Sequence, residues 1–379
     1  MQAVAAGLLA AFVGFASSFA VVLQGLMAVG ATRAEAASGL MALAIAMGLS
    51  GALLSLWRRQ PISVAWSTPG AALLATSGAP EGGFPAAVGA FLVCGVLIVL
   101  AGLWKPLGRA VERIPPALAN AMLAGVLLGL CLAPVRAMGS IPSMAAPVVL
   151  VWVAVFYWKR LFAVPAAVLV VVASIVFQGV PAGMGSLWPS PVLVRPVFTV
   201  AAALGLGVPL FLVTMASQNI PGMAVLHLNG YRPAAASPLF VATGVFSLLG
   251  APFGGHAVNL AAITAALCAG PDAHPDPARR YWAAVVAGLT YVAFGLLAGT
   301  ATAFIAASPP VLIEAVAGLA LLGAFGSALF GAVSAVEGRE AALVTFLVTA
   351  SGQGFFGVSG AFWGLLAGGA MLALGSVKK

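Results

Sequence analysis

The chain reads as an all-α polytopic membrane protein: fourteen spans in a seven-plus-seven inverted repeat, two of them broken into a short extended piece and a half-helix. Three observations carry this reading. The composition is 63% hydrophobic and only 6% charged over 379 residues, which leaves too little charge to clothe a soluble surface. Apolar segments of about 20 residues follow one another, separated by charge, Pro or Gly clusters. Two polar breaks, Ser67-Thr68-Pro69-Gly70 and Gly254-Gly255-His256-Ala257-Val258-Asn259, interrupt such segments in the same way. A polar interruption at membrane depth is tolerated only where it lines a cavity or is buried in protein.

In order, the spans fall near 3–29, 35–56, 61–77 (broken), 84–104, 115–132, 143–158, 162–179, 197–219, 233–250, 252–269 (broken), 281–304, 309–333, 339–352 and 355–376. The first lacks a basic start and outruns a signal peptide, so it is expected to stay as a span, with no soluble domain at either end. The second runs between Arg33 and Arg58-Arg59, and the third breaks at Ser67 to Gly70. The fourth ends at Lys105, the fifth opens on Pro115-Pro116, and Lys159-Arg160 separates the sixth from the seventh. Trp188-Pro189-Ser190-Pro191 lies in the linker before the eighth, which ends near Pro221. The tenth breaks after Pro252, Asp276-Pro277 opens the eleventh, Ser308-Pro309-Pro310 the twelfth, and the turn Glu337-Gly338-Arg339-Glu340 the thirteenth.

Loop charge tests this order. With the N-terminus cytoplasmic, the inner side holds thirteen basic residues: Arg58, Arg59, Lys105, Arg109, Arg113, Lys159, Arg160, Arg232, Arg279, Arg280, Arg339, Lys378 and Lys379. The outer side holds Arg33, Arg136 and Arg195. One missed crossing would invert everything downstream, so the asymmetry places both termini inside. The net charge of +8 is thereby a topology signal, not a nucleic-acid footprint, because the basic residues gather on no one face. Cys94, Cys131 and Cys268 stand singly and read as small buried hydrophobes, not disulfides or metal ligands.

The repeat divides the chain into 1–196 and 197–379. An offset of 199 aligns Ser18 with Ser217, Arg33 with Arg232, Ala36-Ala37-Ser38 with Ala235-Ala236-Ser237, and Gly51 with Gly250. After a gap, an offset near 191 lays Thr68 over Asn259 and Ala71 over Ala262, one register to the side fitting nearly as well. Seven spans per half is odd, so the second half enters from the opposite side. Glycines at four-residue spacing (Gly125 and Gly129; Gly295 and Gly299; Gly360, Gly364 and Gly368) suit close helix contacts, within the protomer or at a homodimer seam.

The candidate chemistry sits at the breaks. In the first, Ser67 or Thr68 caps a helix and Pro69 starts it. In the second, Asn259 suits the cap. Two converging helix starts, each with free N–H groups and partial positive charge, could hold a carboxylate without a basic side chain. Ser217, Gln218 and Asn219, just before Pro221, could bond substrate or the backbone that the proline frees; at most two of them share a face. Ser17, Ser18 and Gln24 stand on a similar footing. His256, an ionisable residue at membrane depth, is a candidate for reversible protonation, and Glu314 either carries a proton or answers the dipole of its helix. Asp272, His274 and Asp276 alternate as metal ligands might be spaced, but the surrounding prolines make a capped turn the better reading. No HExxH, GxSxG or P-loop is present, so nothing points to an enzyme, and no ring of like charge points to a channel.

Met215-Ala216-Ser217-Gln218-Asn219-Ile220-Pro221-Gly222, the run from Phe253 to Ala266, Gly270 to Trp282, and Arg339-Glu340-Ala341-Ala342-Leu343-Val344-Thr345-Phe346 with Ala361-Phe362-Trp363-Gly364-Leu365 resemble the BenE family of benzoate/proton symporters over essentially the whole chain. The resemblance implies a fold like that of uracil permeases: a core domain of spans one to four and eight to eleven, and a gate domain of the remainder. It implies proton-driven import of benzoate or a similar aromatic carboxylate across the bacterial inner membrane, with the proton gradient in place of any cofactor. Uracil permeases use acidic side chains on the eighth and tenth spans, where this chain has Ser217, Gln218, Asn219, His256 and Asn259; an anionic substrate suits that exchange. The expected substrate set is Thr68, Ser217, Gln218, Asn219, His256, Asn259 and Gln24, with His256 and Glu314 for the proton. The partners are membrane lipid and a small aromatic acid. A nucleobase permease on the same fold, and a membrane assembly subunit without transport, are the alternatives.

Overall fold

Two three-residue strands, Val64–Trp66 (β1) and Val258–Leu260 (β2), pair antiparallel in an otherwise helical chain, with Val64 opposite Leu260, Ala65 opposite Asn259 and Trp66 opposite Val258. The structure, a computed structural model, describes residues 1–104, 106–108, 114–178, 188–231, 237–261, 263–355 and 358–377. Lys105, Arg109, Arg113, Arg232, Lys378 and Lys379 of the inner-loop set, Ala235, Ala236 and Ala262 of the repeat, and linker residues 179–187 lie outside the described residues.

Before β1 come the helices α1 (Gln2–Ala16), α2 (Phe19–Ala28) and α3 (Arg33–Arg58). Thr32 opens α3 with a reciprocal capping box: its hydroxyl accepts from the Glu35 amide, and the Glu35 carboxylate accepts from the Thr32 amide. After β1 run α4 (Thr68–Ser77), α5 (Gly83–Leu103), α6 (Pro116–Cys131), α7 (Ala133–Ser140), α8 (Pro142–Lys159) and α9 (Ala163–Gln178). Then α10 (Val200–Leu228) carries two π-turns, Ala203–Gly207 and Met215–Asn219. Each lies just ahead of a proline, Pro209 or Pro221, which cannot donate to the turn before it; widening that turn absorbs the missing bond. Past α11 (Ser237–Gly250), β2 leads to α12 (Ile263–Ala269), α13 (Tyr281–Leu296), α14 (Ala298–Ala307), α15 (Pro310–Val333), α16 (Arg339–Ala350) and α17 (Gly360–Val377).

The protein is a mostly helical, multi-pass membrane protein. Among the described residues, seven helices are long and apolar enough to cross a membrane, or up to eight if the pair bent by 58° after Leu296 counts as one. The fourteen spans expected from the sequence exceed this count, and several of the expected segments form short or merged helices. Half-helices α4 and α12 have 10 and 7 residues, α11 has 14 and α16 has 12, all below a span's length, and the apolar stretch Gly360–Leu374 of α17 is short as well. The sixth and seventh segments merge into one 36-residue run, Pro142–Phe177, across the tight turn Arg160–Phe162.

Close helix contacts organise the interior. Helices α3 and α13 cross where a Cβ on Gly48 would strike the Gly288 carbonyl oxygen, and one on Gly288 would strike that of Gly48. Gly125, Gly364 and Gly368 lie against α16, and Gly295 against α3, so these glycines serve contacts within the protomer. Buried side chains form one large cluster and two smaller ones; of these, one joins α7, α8 and α9 to the first half of α15 through Ala145, Val148, Trp152, Ala167, Leu312 and Val316, and the other joins α6, the end of α15 and α16 through Leu118, Ala121, Ala332 and Ala342. Replacing Gly288 by Leu is expected to force α3 and α13 apart, costing about 1–3 kcal/mol as overpacking does. A lowered thermal midpoint of the detergent-purified protein measures it.

Candidate functional site

The strand pair would be untenable at membrane depth without partners for its outer amides. Inner groups pair across the two strands, flanked by Ser67 N donating to Ala257 O and Ala261 N to Ser63 O, both at 2.9 Å. On the far edge of β2, the Val258 amide donates to Ser247 Oγ at 2.9 Å and the Leu260 amide to Asn219 Oδ1 at 2.9 Å. Helices α11 and α10 therefore each lend one buried side chain to seal the edge.

Helix α4 starts as its sequence dictates. Ser67 has extended backbone and its Oγ accepts from the Gly70 amide at 3.1 Å, with Pro69 in the first turn. The same Oγ accepts from Thr214 Oγ1 at 2.8 Å, which ties α4 to α10. Pro69 has no amide proton and Gly70 is engaged, so the Thr68 amide and hydroxyl are the donors left at this helix start. The second break differs from the expectation. Asn259 lies in β2, level with Ala65, and is not a cap: its Nδ2 donates to Leu260 O at 2.9 Å, and α12 begins only at Ile263. Strand pairing outbids local capping here.

In front of α4 lies a cavity of about 130 Å³. An apolar cavity of roughly 150 Å³ takes up benzene, so this one has the scale of a single ring. Gly14, Ser17 and Ser18 border it from the α1–α2 joint, Trp66, Thr68 and Pro69 from the first break, and Gln218 from the π-turn. Thr264, Tyr291 of α13, and Ala320, Leu321 and Ala324 of α15 complete it. Among the described residues no charged side chain lines it. Most of its polar groups are engaged. Ser18 Oγ donates to Gly14 O at 3.0 Å and accepts from Trp66 Nε1 at 2.9 Å; Thr264 Oγ1 pairs with Ser63 Oγ at 2.8 Å; Tyr291 donates to Ala10 O at 3.3 Å. The Thr68 and Gln218 side chains make no hydrogen bond to the described residues, so they are the free polar groups of the cavity.

The other residues singled out in the sequence sit elsewhere. Ser217 donates back to Val213 O on its own helix. Asn219, fully buried, holds β2 through Leu260 and donates to Met215 Sδ at 3.1 Å. His256 is fully buried beside Phe91, ring centroids 6.3 Å apart; its Nδ1 accepts from the Ala257 amide at 2.7 Å, while Nε2 has no partner among the described residues. Asn259 Oδ1 is likewise buried and has no partner among them. Gln24 and Glu314 line a separate cavity of about 620 Å³ between α2 and the start of α15, together with Arg33, Thr302 and Ser308. Asp276 caps the turn Pro277–Arg279, and Arg280 donates to Ala269 O at 3.0 Å, at the C-terminal end of α12. Trp66, Thr264 and Tyr291 escaped the sequence reading. A buried Trp or Tyr brings a polar tip that needs a partner, which is the signal available for them.

The chain matches the family described as benzoate membrane transport protein, BenE, over residues 1–374. It is 33% identical over 370 residues to the benzoate membrane transport protein of Acinetobacter baylyi, covering 97% of this chain and 93% of that one. The chain belongs to the BenE family. This BenE-family protein is also 43% identical over 366 residues to the inner membrane protein YdcO of Escherichia coli, covering 96% of this chain and 93% of that one. The family is one of membrane transporters, not enzymes. Among solved structures, the transmembrane domain of the cyanobacterial bicarbonate transporter BicA has the same fold, with a TM-score of 0.61 at 16% identity and 96% of both chains covered. The murine anion transporter Slc26a9, inward-facing, gives a TM-score of 0.60 at 14% identity, covering 99% of this chain and 68% of that one.

Asn219→Ala strands the Leu260 amide in the interior. The expected cost is about 1–3 kcal/mol, measured as a lower thermal midpoint than that of Ser217→Ala, whose hydroxyl only returns to its own helix.

Proposed function

We propose that this BenE-family protein is a symporter of the bacterial inner membrane, with both termini cytoplasmic, that imports benzoate or a related aromatic carboxylate with a proton by alternating access. The observation that carries the reading is the uncharged, ring-sized cavity with Thr68 and Gln218 as its free polar groups. A carboxylate leaving water needs its lost hydrogen bonds replaced. The Thr68 amide and hydroxyl and the Gln218 Nε2 can supply them, and the N-terminal end of α4 adds partial positive charge. Among the described residues no aspartate or glutamate lines the space to repel the anion. Trp66 and Tyr291 border the same space.

The antiparallel strand pair supports the inverted repeat of 1–196 and 197–379, since its local two-fold axis passes between Ala65 and Asn259 and a half-helix follows each strand. In this reading the core supplies the polar side of the cavity and α15, from the gate, closes it. Asn219, His256 and Asn259 then act from behind, Asn219 by fixing β2. For the proton, Glu314 is the better placed of the two candidates: it borders a cavity between core and gate, with Gln24 opposite, whereas His256 is enclosed in the core.

In proteoliposomes, uptake of labelled benzoate is expected to rise as the outside is acidified. No uptake across a range of aromatic acids removes the assignment, and competition by uracil but not benzoate transfers it to nucleobases. Thr68→Val and Gln218→Ala each remove a hydrogen bond to a charged group, so benzoate affinity should fall about tenfold or more, read by thermal shift and by the KM of uptake. Glu314→Gln should abolish proton-driven accumulation while benzoate counterflow persists. An unchanged pH profile in that variant, with a flattened one in His256→Ala, moves the role to His256.

A further inference from the structure

We propose that α15 gauges the ring: Ala320 and Ala324 decide which substituents on an aromatic acid the cavity admits. This rests on the reading of the cavity as an aromatic-carboxylate site. The two alanines are one helical turn apart, so they share a face, and both border the cavity together with Leu321. Nothing on this wall can hydrogen-bond a carboxylate; every polar side chain of the lining comes from elsewhere in the fold.

The two aromatic side chains of the lining are held in place. Trp66 is held by its bond to Ser18 and by Phe15, whose ring centroid is 5.2 Å away at a 59° tilt. Tyr291 is fully buried and held by Ala10. Helix α15 is anchored independently, through Leu312, Val316 and Leu319, to the cluster with α8 and α9. The width of the space is therefore set by how far side chains project from positions 320 and 324, and a methyl is the smallest projection short of none. A single methylene in an apolar pocket discriminates by about 10- to 200-fold.

The test is competition against labelled benzoate uptake in proteoliposomes by unlabelled benzoate and 4-methylbenzoate. The variants are Ala320→Val, Ala324→Val, Ala320→Gly and Ala324→Gly, each checked for a cooperative thermal transition. The Val variants should shift the inhibition ratio against 4-methylbenzoate by about tenfold or more, and the Gly variants should shift it the other way. Should a Val variant fail to fold, the Gly variants decide. Ratios that stay put in every variant, or Val variants that weaken both acids equally, overturn the gauge while leaving the transport assignment standing. Wild-type protein that takes up no aromatic acid overturns both.

Discussion

Extended backbone in the middle of a membrane protein has to account for every amide, and that accounting holds this fold together. Strands β1 and β2 satisfy one another on their shared edge, but β2 still presents the Val258 and Leu260 amides outward. Ser247 and Asn219 meet them from two different helices. Each leaves a main-chain donor stranded if removed, and a stranded donor costs more than a bond to water was worth. The crossing is thus a joint between α10, α11 and both halves of the chain.

What the joint supports is the start of α4. Because β1 is held, Ser67 arrives with extended backbone, caps the helix, and receives the Thr214 hydroxyl. Thr68 is then presented toward open space, and the π-turn of α10 brings Gln218 to the same place while turning Asn219 to the strand and Ser217 back to its own helix. One widened turn gives three adjacent polar residues three tasks. The cavity they share is small, has no charged side chain among its described lining, and is bordered by Trp66 and Tyr291, which are themselves bonded in place.

Much of this was legible in the sequence because its causes are local. Ser67 followed by Pro69, and Pro252 followed by paired glycines, announce breaks in any context, and the family resemblance rests on long runs such as Met215 to Gly222. What escaped has non-local causes. Asn is a good cap, but Asn259 is claimed by a strand whose partner lies in the other half of the chain. Gln24 and Glu314 are polar residues in apolar spans like the rest; that they share a cavity apart from Thr68 depends on how α2 meets α15. Tyr291 sits inside α13 and Thr264 in the first turn of α12, and only packing decides which way they look. The fourteen segments were countable, yet the half-helices among them are too short for length alone to name them crossings.

A cradle with no formal charge has an electrical consequence. Carrying one elementary charge through the membrane field involves about 2.3 kcal/mol per 100 mV. If the site reorients empty, as the proposed alternating access requires, its described lining brings no formal charge into that field, so the voltage acts on such a step only through charged groups elsewhere in the protein.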